Sequence, residues 1–351
     1  MRAQAVDSVA RGWGGRQVIG GPIIAIPTTV IADSGRSVIR DYYVLPEELT
    51  LESVLDVQEE RRKLGAYEVP VYVAKVHMVA QFDIASRIAP AAAGPRAATL
   101  HLDQARLLVP VSDPRGVRDV KLSGTGIVVA AFEPERSFPI AGVSISLSSA
   151  VGLDGGVRRF EVTLQAAGTE SLTFLPTARS RTAQLGGNWL HPGFARGFLP
   201  SERKVDGGRF QARWQILDLT RGYASHWFQD EIAEPALLES AYGVDLVQPV
   251  DLYQQAERAV KYAELFIALS LLTMFLWEHF ARKPLHPIQY GLMGLALSVF
   301  CLLLRALAEH IGFALAYVVA ALALCALLAI VMVLTRGLDW YQANTGLQAD
   351  A

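Results

Sequence analysis

The sequence predicts a mixed fold in two parts. A large, mainly-β domain of sandwich or barrel type stands outside the cytoplasm, followed by an α-helical transmembrane bundle of three helices. Three observations carry this. Long apolar runs crowd the C-terminal part of the chain. Charge is segregated: residues 1–258 have the frequent Asp, Glu, Arg and Gly of a water-soluble protein, and the runs beyond have few charges. Within the first part, short β-like runs recur at roughly ten-residue spacing. That rhythm belongs to an all-β domain rather than to alternating β/α units.

In chain order, MRAQAVDSVARGWGG (1–15) lacks the apolar segment of a signal peptide. GGPIIAIPTTVIA (20–32) reads as a β-rich run punctuated by Gly21, Pro22 and Pro27, and SVIRDYYVLPEEL (37–49) as a second short strand. Leu49–Leu64 reads as a helix. From Val69 the alternation is the clearest in the chain: Val71, Val73, Lys75 and His77 face one way, and Tyr72, Ala74, Val76 and Met78 the other. APAAAGPRAA (89–98) is a small-residue loop. ARLLVPVSDPRGVRDV (105–120) is a strand closed by a turn, since Ser112, Asp113, Pro114 and Gly116 are turn formers. GTGIVVAAF, AGVSISL, VRRFEVTLQAAG, SLTFLP, GRFQARWQILDL and YGVDLVQPV continue the rhythm to residue 250, the predicted end of the β domain.

Residues 251–258 form the juxtamembrane start of a helix. Asp251 caps it with a negative charge at the positive end of the dipole. Glu257 and Lys261 follow at favourable i,i+4 spacing, so one helix runs from about Leu252 into the bilayer. The spans are predicted at 259–280, 287–307 and 311–335, with a cytoplasmic tail at 336–351. Crossing ~30 Å of hydrocarbon takes ~20 apolar residues at 1.5 Å each. Ile311–Leu334 carries no charge, whereas 259–280 includes Lys261, Glu264 and Glu278. A buried soluble core is the alternative, but such cores rarely string three runs like these together. Arg282, Lys283 and Arg336 face the cytoplasm by the positive-inside bias. The hairpin at Arg305–His310 and the whole N-terminal domain then lie across the inner membrane. Exporting so large a domain requires an earlier span or signal, which predicts a gene start upstream that encodes a further hydrophobic helix.

A net charge of −2 excludes a basic nucleic-acid binder. The two cysteines, Cys301 and Cys325, both fall in spans, so the β domain has neither disulfide nor thiolate metal site. G-x-S-x-G, G-x-x-x-x-G-K-[ST] and H-E-x-x-H motifs are missing. No catalytic residue, cofactor or metal ligand is assigned, and no enzyme is expected. Two groups of residues stand out. Asn188, Trp189, His191, Phe194 and Phe198 share a Gly- and Pro-rich loop. It reads as a recognition loop for an envelope ligand, or as a long structural turn with Trp189 and Phe194 buried. Glu264, Arg305 and Glu309 are ionisable groups in lipid. They read as an intramembrane pair, Glu264 with Arg305 or Arg305 with Glu309, or as helix-end charges that snorkel to the interface. The expected partners are the lipid bilayer and an envelope protein or polymer. A non-enzymatic envelope protein is preferred to a transporter or channel component. A periplasmic enzyme acting on envelope polymer would need a deep polar cleft with paired carboxylates.

Longer stretches carry a resemblance. PVDLYQQAERAVKYAELFIALS, LHPIQYGLMGLALSVF and EHIGFALAYVVAALAL, with GGPIIAIP, AYEVPVYVA, VSDPRGV, ESLTFLP, GGNWLHPGFARGFLPSERKV and TRGLDWY, resemble the CreD family of inner-membrane, cell envelope integrity proteins. The resemblance implies a bacterial inner-membrane protein with a large periplasmic domain. It also implies links to carbon-source-responsive regulation and to colicin tolerance on overproduction, and no established enzymatic activity. Relative to the family pattern, this sequence looks like a shortened member or a fragment. It lacks an N-terminal span, and AYVVAALALCALLAIVMVLTRGLDWY joins the start of one family helix to the end of a later one.

Overall fold

The computed structural model describes residues 2–31, 36–58, 62–64, 67–86, 98–124, 131–147, 156–194, 197–247, 252–282, 287–311 and 313–335. The loop at 89–97, the strand reading at 125–130, the Asp251 cap, Lys283 and the tail at 336–351 lie outside these. The chain divides into two compact units, Met1–Val247 and Gln248–Ala351.

The first unit is mainly β, with its strands numbered in chain order. One sheet has the order β10 (Val117–Gly124), β13 (Val157–Thr169), β7 (Val71–Asp83), β4 (Glu48–Val57), β15 (Ser180–Gly187), β18 (Arg209–Leu217) and β17 (Glu202–Asp206). A second runs β11 (Glu133–Glu135), β12 (Gly142–Ser146), β9 (Arg106–Pro110), β2 (Ile23–Ile31), β3 (Ser37–Val44) and β19 (His226–Phe228), with β8 (Thr99–Leu100) also on β2. A third comprises β1 (Gln17–Ile19), β14 (Ser171–Phe174), β20 (Tyr242–Leu246) and β16 (Pro192–Gly193), and β5 (Arg62–Leu64) pairs only with β6 (Tyr67–Val69). Pairing is antiparallel except at β4–β15 and β1–β14.

Alternation decides which side chains make the core. Along β7, Tyr72, Ala74, Val76, Met78, Ala80 and Phe82 are fully buried, while Lys75 on the other face is exposed. These residues join the inward faces of β4, β13, β15 and β18 against β2, β3, β9 and β14 in one large core. The second sheet is buried on both sides. Ile23, Ala25 and Tyr43 point away from that core into a smaller one with Leu108, Phe138 and Trp227. Hence the first part of β2, Ile23–Ile26, is an unbroken buried apolar run, the pattern of a strand covered on both faces. The described residues of the unit also include the helices α1 (Arg2–Trp13) and α2 (Glu234–Glu239). Trp13 at the end of α1 donates from its indole N–H to the Tyr72 carbonyl at 3.2 Å and is covered by the Arg118 guanidinium. The turn around Asp113 forms as its residues require: Asp113 accepts from Arg115 N, caps the 3-10 turn at Pro114–Gly116 and also accepts from Gly15 N.

The helix expected at Leu49–Leu64 is wrong. Glu48–Val57 is a strand whose side chains alternate strictly between exposed and buried. Leu51, Val54 and Leu55 also satisfy an i, i+3, i+4 helical spacing, and the acidic residues favour helix. Position decides: β4 lies inside the sheet, between β7 and β15, where both edges of its backbone find partners.

The second unit holds three helices among the described residues: α3 (Leu252–Ala281), α4 (Pro287–Ile311) and α5 (Phe313–Thr335). Two are long and apolar enough to cross a membrane, over Glu264–Ala281 and Pro287–Leu307, with mean hydropathies of 1.4 and 1.9. The described apolar stretch of α5 is Ala314–Leu327. None of the Glu264–Ala281 window is buried by protein. Leu265, Phe266, Phe280, Leu302 and Leu322 stand exposed, which suits a hydrocarbon solvent and not a soluble core. Among the described residues one seam has Leu304 against Ala316 and Ala320, small residues at i,i+4 that let helices approach closely. The charged segment expected to turn the chain at Arg305–His310 is instead helical, through Ile311. Arg, Ala, Leu and Glu are good helix formers, and no breaker occurs before Gly312.

Candidate functional site

The outward face of the first sheet carries the candidate site. On β15 the outward positions are Ser180, Thr182, Gln184 and Gly186. Gly186 contributes no side chain, so the surface dips between Val54 on β4 and Gln211 on β18, its partners in register. The edge strand β17 lies beyond, with Lys204 opposite Gln211. The result is two adjoining concavities of about 650 and 670 Å3 that share Val54, Gly186, Lys204 and Gln211.

The walls are polar and carry charges of both signs. One cross-strand row runs Glu52–Gln184–Arg213–Glu202 in register, and Asp206 faces Arg209 at the far end. Among the described residues the trough holds no histidine or cysteine. Its serine, Ser53, is buried on the inward side of β4. Such a surface can hydrogen-bond and pair with a polar partner, but it offers no nucleophile with an adjacent base.

The predicted recognition loop borders this trough and is largely consumed by structure. Asn188 lines one concavity, and its amide completes the end of β4. Its Oδ1 accepts from Val57 N at 2.6 Å, and its Nδ2 donates to Val57 O at 2.9 Å and Asp56 Oδ1 at 3.2 Å. Trp189 is buried, with its indole N–H shared between the His191 and Val247 carbonyls. Phe194 packs edge-on to Phe210 and tilted against Trp214, and the Phe198 carbonyl accepts from the Trp214 indole at 3.1 Å. The loop presents Leu190, His191 and Leu199 to solvent. Replacing Asn188 with alanine leaves Val57 N without its acceptor. The expected loss is about 1–2 kcal/mol in chemical unfolding, with the trough distorted at that end.

The expected Glu264–Arg305 pair is not formed. Glu264 lies about 25 Å from the C-terminal end of α3 and Arg305 about 27 Å from the start of α4, so the two sit at matching heights of a short-looped helical hairpin. Near the loop, the Tyr290 hydroxyl donates to Glu278 across these helices. Yet Glu264 and Arg305 are both exposed, and no ion pair joins them among the described residues. Exposure of both fits the snorkelling alternative. The Glu309 side chain lies outside the described residues.

A buried charge cluster was missed from the sequence. Arg106 on β9 sits between Asp41 on β3, at 2.7 Å, and Glu135 on β11, at 3.5 Å. Glu135 also accepts from the Arg136 and Ser137 backbone N–H groups at 2.9 and 2.8 Å. Burial opposes its ionisation most strongly. The hydrogen bonds from Ser137, then Arg106 and Ser144, together outweigh burial and hold the carboxyl below its ordinary range. These are two carboxylates around one cation, with Glu135 fixed in the charged form. They tie three strands together and do not resemble an acid and base with divided pKa values.

A polar-faced β domain joined to apolar helices able to cross a membrane, without a catalytic constellation among the described residues, defines a membrane protein with a large β domain. A family model described as "Inner membrane protein CreD" matches residues 1–329. The chain is also 32% identical over 340 residues to the inner membrane protein CreD of Escherichia coli (strain K12), covering 92% of this chain and 71% of that protein. The chain belongs to the CreD family of inner membrane proteins, as the resemblance in its sequence implied.

Proposed function

We propose that this protein is a non-enzymatic component of the cell envelope whose β domain, on the periplasmic side, binds an envelope protein or polymer through the trough at Gly186. The observation that carries this reading is the trough itself, the concave polar surface centred on a strand position without a side chain. Its rows of amides and paired charges suit a polar, extended partner. The exposed Leu190, His191 and Leu199 of the adjoining loop extend the contact. All three helices cross the membrane in this reading, with Arg282 and Arg336 on the cytoplasmic side. A role in envelope integrity is part of the same proposal and is supported by the resemblance to the CreD family. Among the described residues few ionisable groups face the helical seam, which gives a transport reading little support.

Two experiments test it. A photo-crosslinking residue at Gln211 or Val54 is expected to capture an envelope component in living cells, and one at Val38, in the other sheet, is not; equal capture at both ends the proposal. For topology, a cysteine at Arg209 in a variant lacking Cys301 and Cys325 is expected to react with a membrane-impermeant maleimide once the outer membrane is opened. Reaction only after lysis of the inner membrane reverses the assignment.

A further inference from the structure

Arg181, on β15, is buried to 1% exposure in the β domain. A buried guanidinium is normally held by a carboxylate, because an unpaired charge away from water is strongly unfavourable. Among the described residues Arg181 forms no ion pair. Its Nη1 donates to the Leu175 carbonyl at 3.2 Å, and its Cζ lies over the Tyr242 ring, 4.6 Å from the centroid. Nε and Nη2 are buried with no hydrogen-bond partner in the protein.

Which two atoms are left open matters. Nε–H and Nη2–H point the same way and form one edge of the guanidinium fork, the edge that takes an oxyanion with two parallel hydrogen bonds. The hydroxyl of Tyr242, whose ring lies under the guanidinium, is fully buried and likewise has no protein partner. Burial pushes the Tyr242 phenol above its ordinary pKa, so it remains a neutral O–H able to donate. A second buried guanidinium adds positive potential: Arg221 donates to the carbonyls of Pro176 and Ala178, in the same turn that Arg181 grips at Leu175. The local field is positive and the open groups are donors.

We propose that the Nε–Nη2 edge of Arg181, with the Tyr242 hydroxyl, is a buried binding site for a small oxyanion of formate or carboxylate type. The anion neutralises the guanidinium and locks β15 of the first sheet to β20 of the third. The site stands apart from the trough: Arg181 points into the core, whereas Gln184 and Gly186 of the same strand point outward.

The test uses the full chain in detergent, with thermal unfolding followed as sodium gluconate is exchanged for sodium formate at constant ionic strength. Gluconate is too large for a buried site. The midpoint is expected to rise by about 3–5 °C for each tenfold increase in formate above the dissociation constant. Arg181→Met is expected to abolish the rise and to equal or exceed the wild type in gluconate, since an apolar chain of similar length removes an unpaired charge. Tyr242→Phe removes one donor without altering the packing and keeps the test valid if Arg181→Met fails to fold. It is expected to move the formate dependence to about tenfold higher concentration. A wild-type midpoint indifferent to formate overturns the proposal, as does a formate response in Tyr242→Phe equal to that of the wild type.

Discussion

Gly243→Ala is expected to lower the stability of the β domain by about 3 kcal/mol or more, enough to remove most folded protein from the membrane fraction. Gly243 lies on β20 with φ at 153°, in a region that favours glycine. A Cβ built there would sit 2.2 Å from the Leu172 carbonyl oxygen and 2.7 Å from the Thr173 Cα. Both are backbone atoms of the neighbouring strand β14 and cannot swing aside as a side chain could. Relief requires the β14–β20 pairing itself to open, and that pairing carries Leu172, Phe174, Tyr242 and Val244 in the main core. The check is the thermal midpoint of the purified variant beside Gly222→Ala, whose glycine has open space around it and no positive φ. A loss at Gly243 no larger than at Gly222 would show that the close approach is relaxed in the native protein.

Arg106→Met is the second substitution with a large expected effect. It leaves Asp41 and Glu135, each 7% exposed, buried without their shared cation. Removing one partner of a buried pair typically costs ~3–5 kcal/mol. The Arg106 side chain is 30% exposed, so the lower end, about 3 kcal/mol, is expected at pH 7. The pH dependence has a definite sign. The folded-state pKa of Glu135 is lowered, so in the wild type its stabilising contribution is present above the ordinary carboxylate value. That contribution is lost as pH falls through the lowered folded value. In Arg106→Met, Glu135 loses the cation that helps hold it charged, so the variant's deficit is largest at neutral pH and shrinks towards pH 4. Denaturant unfolding of both proteins at pH 7 and pH 4 measures this, and a deficit that does not change with pH would assign the loss to packing alone.

The candidate site was barely legible in the sequence. The loop drew attention because aromatics beside Asn and His resemble a binding surface. The same aromatics, Trp189 and Phe194, are large apolar groups that the core takes first. Asn188 was read as part of that loop, and its amide bonds to the backbone of Val57, 131 residues away. The trough left almost no trace. Its centre is a glycine, and its walls come from β4, β15, β18 and β17, which only sheet order brings side by side. Asp41, Arg106 and Glu135 are equally dispersed, and no local spacing marks them as one cluster.

By itself the sequence determined what depends on neighbours along the chain. Apolar runs of membrane-spanning length, the two-residue period of β7 and the turn chemistry around Asp113 are local patterns, set by the rise per residue and by allowed backbone angles. Resemblance over most of its length determined the family. Tertiary structure decided whatever depends on partners distant in sequence. It made Glu48–Val57 a strand despite its helical spacing, buried β2 on both faces, hollowed the surface at Gly186 and left one edge of Arg181 open inside the core. Burial and pairing energies across strands exceed the tenths of a kcal/mol by which local propensities differ, so at each of these places the long-range contact prevailed.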